Sequence, residues 1–502
     1  MHVTMFSSLL LLLCLTFPVF LLFFFFKTLK NPPLPPGPKG LPIVGNILQL
    51  DSSSLHMQLR ELSKKYGPLF TLKLGLKQAI VVSSPKLATV VMKDHDRECC
   101  GRPRLLRQQK LSYNGLDLAF CPYTEYWREI RKLCVVHVLS SKRVSCFSSL
   151  RHFEVKQMIK KISMHASNSE VTNLSEVIVS LTSTIICRIA LGRRYEEEGT
   201  ERNKFYRLLS ECETMMSSFF VSDYIPFMGW VDTLRGIHAR LERTFKEMDN
   251  FYQEVIDEHI ADSHKKTSEE EDIVDVLLQQ KQHHSFSIDL TNDNIKAVIM
   301  NMIIGSTSTT TATAVGAMTE LVKNSRIMKK VQEEVRSLSG EKAFLDEDDV
   351  QKFPYLKAVI KETLRLHPPG PLLIPRETRK KVIIDDYEIP AKTIIYVNGW
   401  AIHRDPEAWE DAEEFIPVRF LNSTVDLRGQ DFCFIPFGAG RRMCPGLHMG
   451  LASLEVVFSN LLYSFDWELV EGTETNDTGS TGFPGLTHDK KNPFRVLAKC
   501  RN

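Results

Sequence analysis

Two patterns of apolar residues divide the chain. Residues 9–26 form an almost unbroken apolar run, in which Thr16 and Pro18 are the interruptions. From about residue 40 to residue 500, apolar positions recur mainly with the spacing of amphipathic helices. Short strand-like runs occur at residues 69–74 with 79–82, at 382–384 and at 393–397. The pattern predicts a mainly α-helical body with a minor β-sheet.

The N-terminal apolar run is long enough to cross a bilayer, which needs roughly 20 such residues. A cleaved signal peptide is the alternative, and it would have a basic start, a short apolar core and small residues at a cleavage site. Here the basic residues Lys27 and Lys30 follow the run instead. Positive charge on that side keeps it in the cytosol. We therefore expect residues 1–30 to be a retained single-pass anchor in membrane lipid, with the body of the protein cytosolic.

A proline-rich stretch separates this anchor from the rest of the chain. Five prolines occur within residues 32–38. Proline fixes φ and prevents a helix, so the stretch favours an extended, semi-rigid spacer. A ligand for a proline-binding module is the alternative. We predict a hinge at residues 31–45 and one large domain at residues 46–502, in which no repeat or clear linker is visible.

One predicted helix is unusually long. It begins at a cap signal at residues 291–293 and continues to about Lys323, so it would cross the whole domain. Its first half is apolar, but residues 306–311 are all serine or threonine. Short hydroxyl side chains compete for backbone partners and are poor helix formers. The run is therefore either a buried kink held by these hydroxyls or a polar patch that faces a reactive centre.

Composition and charge exclude several classes of protein. The chain has 502 residues, of which 43% are hydrophobic and 25% charged, and its net charge of +2 gives no reason to expect nucleic acid as a partner. Its 11 cysteines show no zinc-ligand spacing, and an odd number fits a reducing compartment. A secreted, disulfide-bonded protein is the rival, and it predicts glycans on Asn173 or Asn422.

One cysteine stands in a segment in which each residue has a physical use. Cys444 lies in Phe437-Gly438-Ala439-Gly440-Arg441-Arg442-Met443-Cys444-Pro445-Gly446, directly before an apolar helical segment at residues 447–462. Glycines let the backbone approach a flat ligand closely. The start of a helix favours a thiolate, Pro445 suits its first turn, and Arg442 adds a cation able to pair with a carboxylate. Such a thiolate can ligate haem iron, whereas a buried structural cysteine is the alternative.

This segment resembles the haem-binding signature of the cytochrome P450 superfamily, F-x-x-G-x-R-x-C-x-G, with every fixed position filled. Three other motifs of that family occur in the right order. They are W-x-x-x-R at residues 127–131, E-x-x-R at residues 362–365 and P-x-R-F at residues 417–420. The last two are identified with a structural network of Glu362, Arg365 and Arg419.

The resemblance implies a haem b site and assigns its residues. Cys444 is expected to be the metal ligand. The remaining haem contacts are expected from Phe437, Arg442, Trp127, Arg131 and Arg376, the last four through the propionates. The fold implied is that of a cytochrome P450, an α-rich triangular prism with a long central helix over the haem.

The resemblance also implies an activity. Such enzymes insert one oxygen of O2 into a small lipophilic substrate, using electrons from NADPH delivered by NADPH–cytochrome P450 reductase. The anchor, the hinge and residues 401–406 are similar to the plant microsomal A-type group (clan 71), which acts on secondary metabolites in the endoplasmic reticulum membrane. Residues 113–120 and 133–137 resemble legume relatives of the aldoxime-metabolising family 83.

The long helix departs from the family pattern A/G-G-x-D/E-T-T/S. The aligned residues are Gly305-Ser306-Thr307-Ser308-Thr309-Thr310. Thr309, the hydroxyl implied in oxygen activation, is present, but Ser306 replaces the usual glycine and Ser308 the usual acid. A carboxylate relays protons from bulk water, whereas a serine passes them only along water. The alternative function is therefore a P450-like protein that binds haem with weak, poorly coupled or no turnover.

Substrate and electron-donor contacts are also implied by the resemblance. Substrate contacts are expected at residues 105–120, 300–304, 371–374 and 483–486. Arg128, Lys132 and Arg441 are expected to form a basic face for an acidic flavoprotein donor. Ordinary packing and solvated surface charge are the alternative interpretations of these residues.

Overall fold

The computed structural model describes residues 34–194, 200–262, 267, 270–283, 286–470 and 493–501. The predicted anchor at residues 1–30 and the predicted pocket segment at residues 483–486 lie outside these ranges. In the part that is described, helices dominate and strands are short, so the predicted mainly α-helical fold with a minor sheet is confirmed.

Four helices position the site and are named here. They are the tryptophan helix (Glu125–Leu133), the central helix (Asn292–Lys323), the ion-pair helix (Pro354–Leu366) and the C-terminal helix (Leu447–Ser464). The other α-helices are Leu55–Tyr66, Pro85–Thr89, Asp96–Cys99, Leu106–Leu111, Ser141–Cys146, Ser148–Ser167, Leu174–Leu191, Thr200–Ser217, Trp230–Leu234, Ile237–Ala261, Ile273–His283, Ser325–Ser339, Glu347–Val350 and Gly399–Ile402.

The strands form three small sheets. In chain order they are β1 (Leu69–Leu74), β2 (Lys77–Val82), β3 (Thr172–Asn173), β4 (Arg376–Glu377), β5 (Val382–Ile384), β6 (Tyr387–Ile389), β7 (Ile394–Val397), β8 (Phe465–Leu469) and β9 (Arg495–Cys500). The first sheet has the order β1-β2-β7-β4, with β2 and β7 parallel. The second has the order β3-β9-β8, and β5 pairs with β6. The sequence predicted β1, β2, β5 and β7 but missed the others.

The central helix has the bounds that the sequence predicted. Thr291 caps it, because the Thr291 hydroxyl accepts from the Asn294 backbone N–H and the Asn294 side chain accepts from the Thr291 N–H. Its apolar first half is buried, and it packs along the helix Leu174–Leu191. The hydroxyl run does not interrupt the helix. The side chain of Thr307, for example, donates to the Ile303 carbonyl at 2.9 Å.

A buried ion-pair network ties the ion-pair helix to the chain around residue 417. Arg365 donates to both carboxylate oxygens of Glu362, at 2.8 and 2.9 Å, and both side chains are fully buried. Arg419 adds a bond to Glu362 at 3.1 Å. The network that the family resemblance implied is therefore present. It fixes the scaffold that precedes the cysteine segment (residues 437–446).

The described part of the predicted hinge lies against the sheet. The Thr71 backbone N–H of β1 donates to the Pro36 carbonyl at 2.8 Å, and Gly45 forms a bridge with Leu74. Among the described residues, the helix Leu174–Leu191 is long and apolar enough to cross a membrane. However, 67% of that apolar stretch is buried, and it packs against the central helix, as a core helix does.

Candidate active site

A cavity of about 370 Å³ lies between the middle of the central helix and the cysteine segment. This volume is typical of small-molecule sites, and the walls are mainly apolar. Three of the predicted substrate-contact regions contribute to it, through residues such as Phe120, Met300 and Leu373. The predicted site residues that line the cavity are Cys444, Phe437, Arg442, Arg131, Arg376, Thr309 and Ser308. Sequence motifs far apart in the chain thus meet at one site.

The cysteine segment forms a tight loop that turns Cys444 toward this cavity. The Cys444 backbone N–H donates to the Phe437 carbonyl at 2.9 Å, and residues Gly440–Arg442 form one 3-10 turn inside the loop. Gly440 has a φ of +66°, and a Cβ atom there would lie 2.3 Å from the Met92 carbonyl oxygen. Only glycine fits that position without displacing backbone.

The surroundings of Cys444 act on its thiol in opposite directions. Although Cys444 is accessible from the cavity, its position inside the protein raises the pKa of the thiol by desolvation, whereas a hydrogen bond from the Gly446 backbone N–H and the nearby charge of Arg131 lower it. The C-terminal helix begins at Leu447, so Pro445 precedes the helix rather than occupying its first turn. The predicted stabilisation of the thiolate by a backbone N–H group is present, but desolvation has the larger effect on the pKa of the thiol. Direct coordination to a metal would deprotonate the thiol.

Two buried arginines and one partly buried arginine form one edge of the cavity. Arg442 donates to the carbonyls of Cys100 and Cys121, at 3.0 and 2.7 Å, and its guanidinium lies 4.2 Å from the centre of the Trp127 ring. Arg376 is paired with Asp96 at 2.7 Å. Trp127 itself lies behind Arg442, outside the set of residues that line the cavity, and its indole N–H donates to the Leu118 carbonyl.

Arg102 completes this edge and was missed by the sequence analysis. It donates to the carbonyls of Ala119, Ile374 and Pro375 at 2.7–2.8 Å, so it joins its own segment to a loop 272 residues further along the chain. Burial, and then the charges of Arg442 and Arg376, lower the pKa of Arg102 well below its ordinary value. Arg102 belongs to no local sequence motif, so its role can be recognised only from its contacts with distant segments of the chain.

The arginine edge (Arg102, Arg376 and Arg442) carries an excess of positive charge. Within the described ranges, Asp96 is the one carboxylate that forms an ion pair with any of the three, and Asp96 is shared with Arg441. Burial, with a further contribution from Arg376, lowers the pKa of Arg442 to about 10. Buried cations need anionic partners. A flat ligand with carboxylates at one edge, as haem has, fits this wall.

The central helix forms the wall of the cavity opposite the cysteine segment. Gly305, Ser306, Ser308, Thr309 and Thr310 line the cavity there. The Thr309 hydroxyl donates to the Gly305 carbonyl at 2.7 Å, and the Ser308 hydroxyl lies 3.4 Å from the Ile304 carbonyl. The hydroxyl run bonds back to its own helix, which continues through it, and several of its side chains face the cavity. The arrangement fits the interpretation of a polar patch on the cavity wall.

An amide–carboxylate pair, also missed from the sequence, fixes the loop over the cavity. The Asn301 side chain of the central helix donates to Asp117 at 3.0 Å and accepts from the backbone N–H of Leu118 at 2.8 Å. Asp117 is fully buried, and burial raises its pKa to about 6. This bond holds the loop that carries Phe120 against the cavity.

A second cleft opens outside the arginine edge. Its volume is about 410 Å³, and it is lined by Arg97, Tyr123, Thr124, Glu125, Arg128, Arg379 and Arg441. Arg128 and Arg441 were predicted to share a basic face, and they do lie together. Lys132 is not part of the cleft, because its ammonium group lies over the Phe286 ring. Arg97 and Arg379 are additional members.

Comparisons with known proteins agree with this geometry. A family model described as Cytochrome P450 matches residues 35–494. The 5-OH-xanthotoxin synthase of Ammi majus is 46% identical over 98% of both chains. The 6,7,8-trihydroxycoumarin synthase of Pastinaca sativa is 44% identical over 97% of this chain and 98% of its own. Cytochrome P450 71A1 of Persea americana is 45% identical over 91% of each chain.

A solved structure supports the fold. A zebra fish cytochrome P450 determined with progesterone superimposes with a TM-score of 0.75 over 88% of this chain and 99% of its own, at 24% identity. The relatives give no support to the alternative of a haem protein with little turnover. The chain therefore belongs to the cytochrome P450 family, in which it is a haem-dependent monooxygenase with plant clan 71 enzymes among its relatives.

Proposed function

We propose that Cys444 is the ligand of haem iron in the cavity, and that Phe437 and Arg131 contact the haem beside it. The observation that carries the proposal is one cavity-facing thiol in a glycine-rich loop next to the arginine edge. When bound, haem supplies the activation of O2, with electrons that come from NADPH through a reductase. The chain supplies the ligand, the apolar pocket and the path for protons.

The arginine edge would hold the two haem propionates. Arg376 and Arg442 were assigned this role from the sequence together with Arg131 and Trp127, and Arg102 adds a further cation on the wall that Arg376 and Arg442 form. Trp127 would act indirectly, because its ring lies against the Arg442 guanidinium and its N–H is bonded to the backbone. Charge-assisted bonds to carboxylates would then replace the mutual repulsion of the three guanidinium groups.

Thr309 and Ser308 would handle protons at the cavity wall. The Thr309 proton is directed to the Gly305 carbonyl, so the hydroxyl oxygen can accept a hydrogen bond from water in the cavity. The Ser308 bond of 3.4 Å is long, which leaves that hydroxyl able to rotate. In the described part of the central helix, no carboxylate lines the cavity. On the central helix, protons would therefore move along hydroxyls and water. The carboxylate that does line the cavity, Glu213, belongs to the helix Thr200–Ser217.

The substrate would be a small, flat, oxygenated plant metabolite such as a coumarin. The relatives named for xanthotoxin and coumarin products are similar to this chain over almost its whole length. The mainly apolar walls fit such a ring system. The finer resemblance to aldoxime-metabolising enzymes stays a prediction.

The second cleft, which Arg97, Arg128, Arg379 and Arg441 line, would receive the acidic reductase. Arg97, Arg128 and Arg379 form no ion pair with a described residue, and Arg379 lies 4.9 Å from the centre of the Tyr123 ring. The cleft adjoins the arginine edge through Arg441, which precedes Arg442 in the cysteine segment. Unpaired guanidinium groups on a surface favour and steer a negatively charged partner.

An apolar surface would lie at the endoplasmic reticulum membrane, with the catalytic domain in the cytosol. The side chains of Trp230 and Leu234 are 60% and 77% exposed. Next to them, the Leu76 backbone N–H donates to the Tyr224 carbonyl, which brings the exposed turn after β1 to the same place. The chain enters beside this turn from the predicted anchor, since Gly45 bridges to Leu74. Apolar and tryptophan side chains together are typical of a membrane interface.

The proposal is tested with the full chain expressed with a plant reductase in microsomes. Wild-type protein is expected to show the carbonyl spectrum of a thiolate-ligated haem and to oxidise a member of a coumarin panel in the presence of NADPH. Cys444→Ala should lose both haem and product. Cys134→Ala is the matched control, because Cys134 is the other thiol that lines the cavity. A colourless wild-type protein with haem in excess, or full activity in Cys444→Ala, would contradict the proposal.

A further inference from the structure

Several hydroxyl groups of the central helix face the cavity, but they are not equivalent. Thr309 and Thr313 both donate to carbonyls of their own helix, at 2.7 and 2.9 Å. Ser306 and Thr310 line the same wall, and the hydroxyl of neither forms a hydrogen bond to another described residue. Two hydroxyls are therefore available to a molecule in the cavity.

Ser306 and Thr310 lie on one face of the helix. Residues four apart in an α-helix are neighbours, with Cβ atoms about 5–6 Å apart. One oxygen atom of a ligand, or one water, can bridge two hydroxyls at that separation. Gly305 leaves the wall open beside Ser306, because a Cβ atom at Gly305 would have nothing within 4 Å. A flat ring can thus approach the helix at this point.

The apolar lining of the rest of the cavity makes these hydroxyls selective. Ile304 precedes them, and Ile374 and Leu373 line the cavity as apolar side chains. A ligand without a polar group at this point would displace water from the hydroxyls and return no hydrogen bond. Leaving a polar group unpaired in this way is unfavourable. Sites that bind a substrate hydroxyl therefore discriminate strongly against an analogue that lacks it.

We propose that Ser306 is a specificity-determining residue, whose hydroxyl binds an oxygen substituent of the substrate together with Thr310. This inference rests on the proposed function, which places the substrate in this cavity. It adds the feature that the central helix recognises, which is a hydroxyl or carbonyl oxygen on an otherwise apolar ring system.

The test compares ligands that differ by one hydroxyl group. Binding to the haem-loaded full chain is measured by difference spectra for coumarin and its hydroxylated analogue umbelliferone. A second pair, phenylimidazole and hydroxyphenylimidazole, does not depend on the natural substrate class. Ser306→Ala is expected to raise the Kd of the hydroxylated ligand of each pair about tenfold, which corresponds to the loss of one hydrogen bond. The Kd of the ligand without the hydroxyl group should change less than about twofold.

Two control variants separate recognition from packing. Ser306→Thr keeps a hydroxyl and should retain the preference for the hydroxylated ligand. Thr313→Val removes a hydroxyl that is already bonded to the Thr309 carbonyl, and it should change the binding of neither ligand. Equal weakening of both members by Ser306→Ala, or no weakening of either, would overturn the inference.

The two ligand pairs also distinguish the inference from the proposed function. If both coumarins bind well and Ser306→Ala does not discriminate between them, the inference fails and the proposed substrate class stands. If only the imidazole pair binds and shows the tenfold effect, Ser306 recognises the hydroxyl and the coumarin class is wrong.

Discussion

Replacing Arg365 by methionine tests the buried network that supports the cysteine segment. Arg365 is fully buried, and besides its two bonds to Glu362 it donates to the carbonyls of His403, Ala412 and Glu414 at 2.7–2.9 Å. Arg365→Met removes all of these and leaves Glu362 with Arg419 as its remaining cation. Breaking a buried ion pair costs about 3–5 kcal/mol.

That loss translates into a measurable shift in Tm. The unfolding entropy of globular proteins is about 2.1 cal/mol/K per residue, or about 1 kcal/mol/K for a chain of 502 residues. A loss of 3–5 kcal/mol should therefore lower Tm by about 3–5 °C, followed by circular dichroism at a fixed scan rate. Arg365→Lys keeps the charge but loses the paired geometry, so an intermediate shift is expected.

The control is an ion pair at the surface. Arg428 and Asp426 are 3.8 Å apart, and the Arg428 side chain is 77% exposed. Such pairs contribute about 0–1 kcal/mol, so Arg428→Met should shift Tm by less than about 1 °C. If Arg365→Met lowers Tm no more than this control, the network does not stabilise the scaffold as argued.

Two further predictions concern the arginine edge and the pH dependence of stability. Arg102→Met should lower the haem content of purified protein several-fold, because it removes a buried cation from the arginine edge. Arg104→Met, at an exposed residue, should leave the haem content unchanged. Full haem content in Arg102→Met would contradict the proposed role of Arg102. Burial lowers the pKa of His403 to about 3, and its ring accepts from the Ile435 backbone N–H. Because the folded pKa lies below the ordinary 6.5, the neutral ring stabilises the fold above pH 6.5, and that stability is lost as pH falls toward 3. The loss can reach about 1.4 kcal/mol per pH unit. The free energy of unfolding, measured by chemical denaturation between pH 7.5 and 5.5, should therefore depend less on pH in His403→Asn than in the wild type.

The sequence was sufficient where the signal is local. The cap at Thr291 and the length of the central helix follow from neighbouring residues, and the structure has both. The cysteine segment was recognisable because glycines, arginine and cysteine occur at fixed spacing within ten residues. β8 could also have been found, since Phe465 and Trp467 alternate with polar residues and are buried.

Only the tertiary structure decided which distant residues share the cavity. Asp117 and Asn301 are 184 positions apart, and no local pattern pairs them, yet their hydrogen bond fixes the loop over the site. Arg102 became part of the arginine edge because its carbonyl partners come from chain segments as far away as Pro375. The reason is physical. Periodicity and spacing report only on neighbours within a few turns of chain, whereas burial of a charge depends on segments brought together by folding.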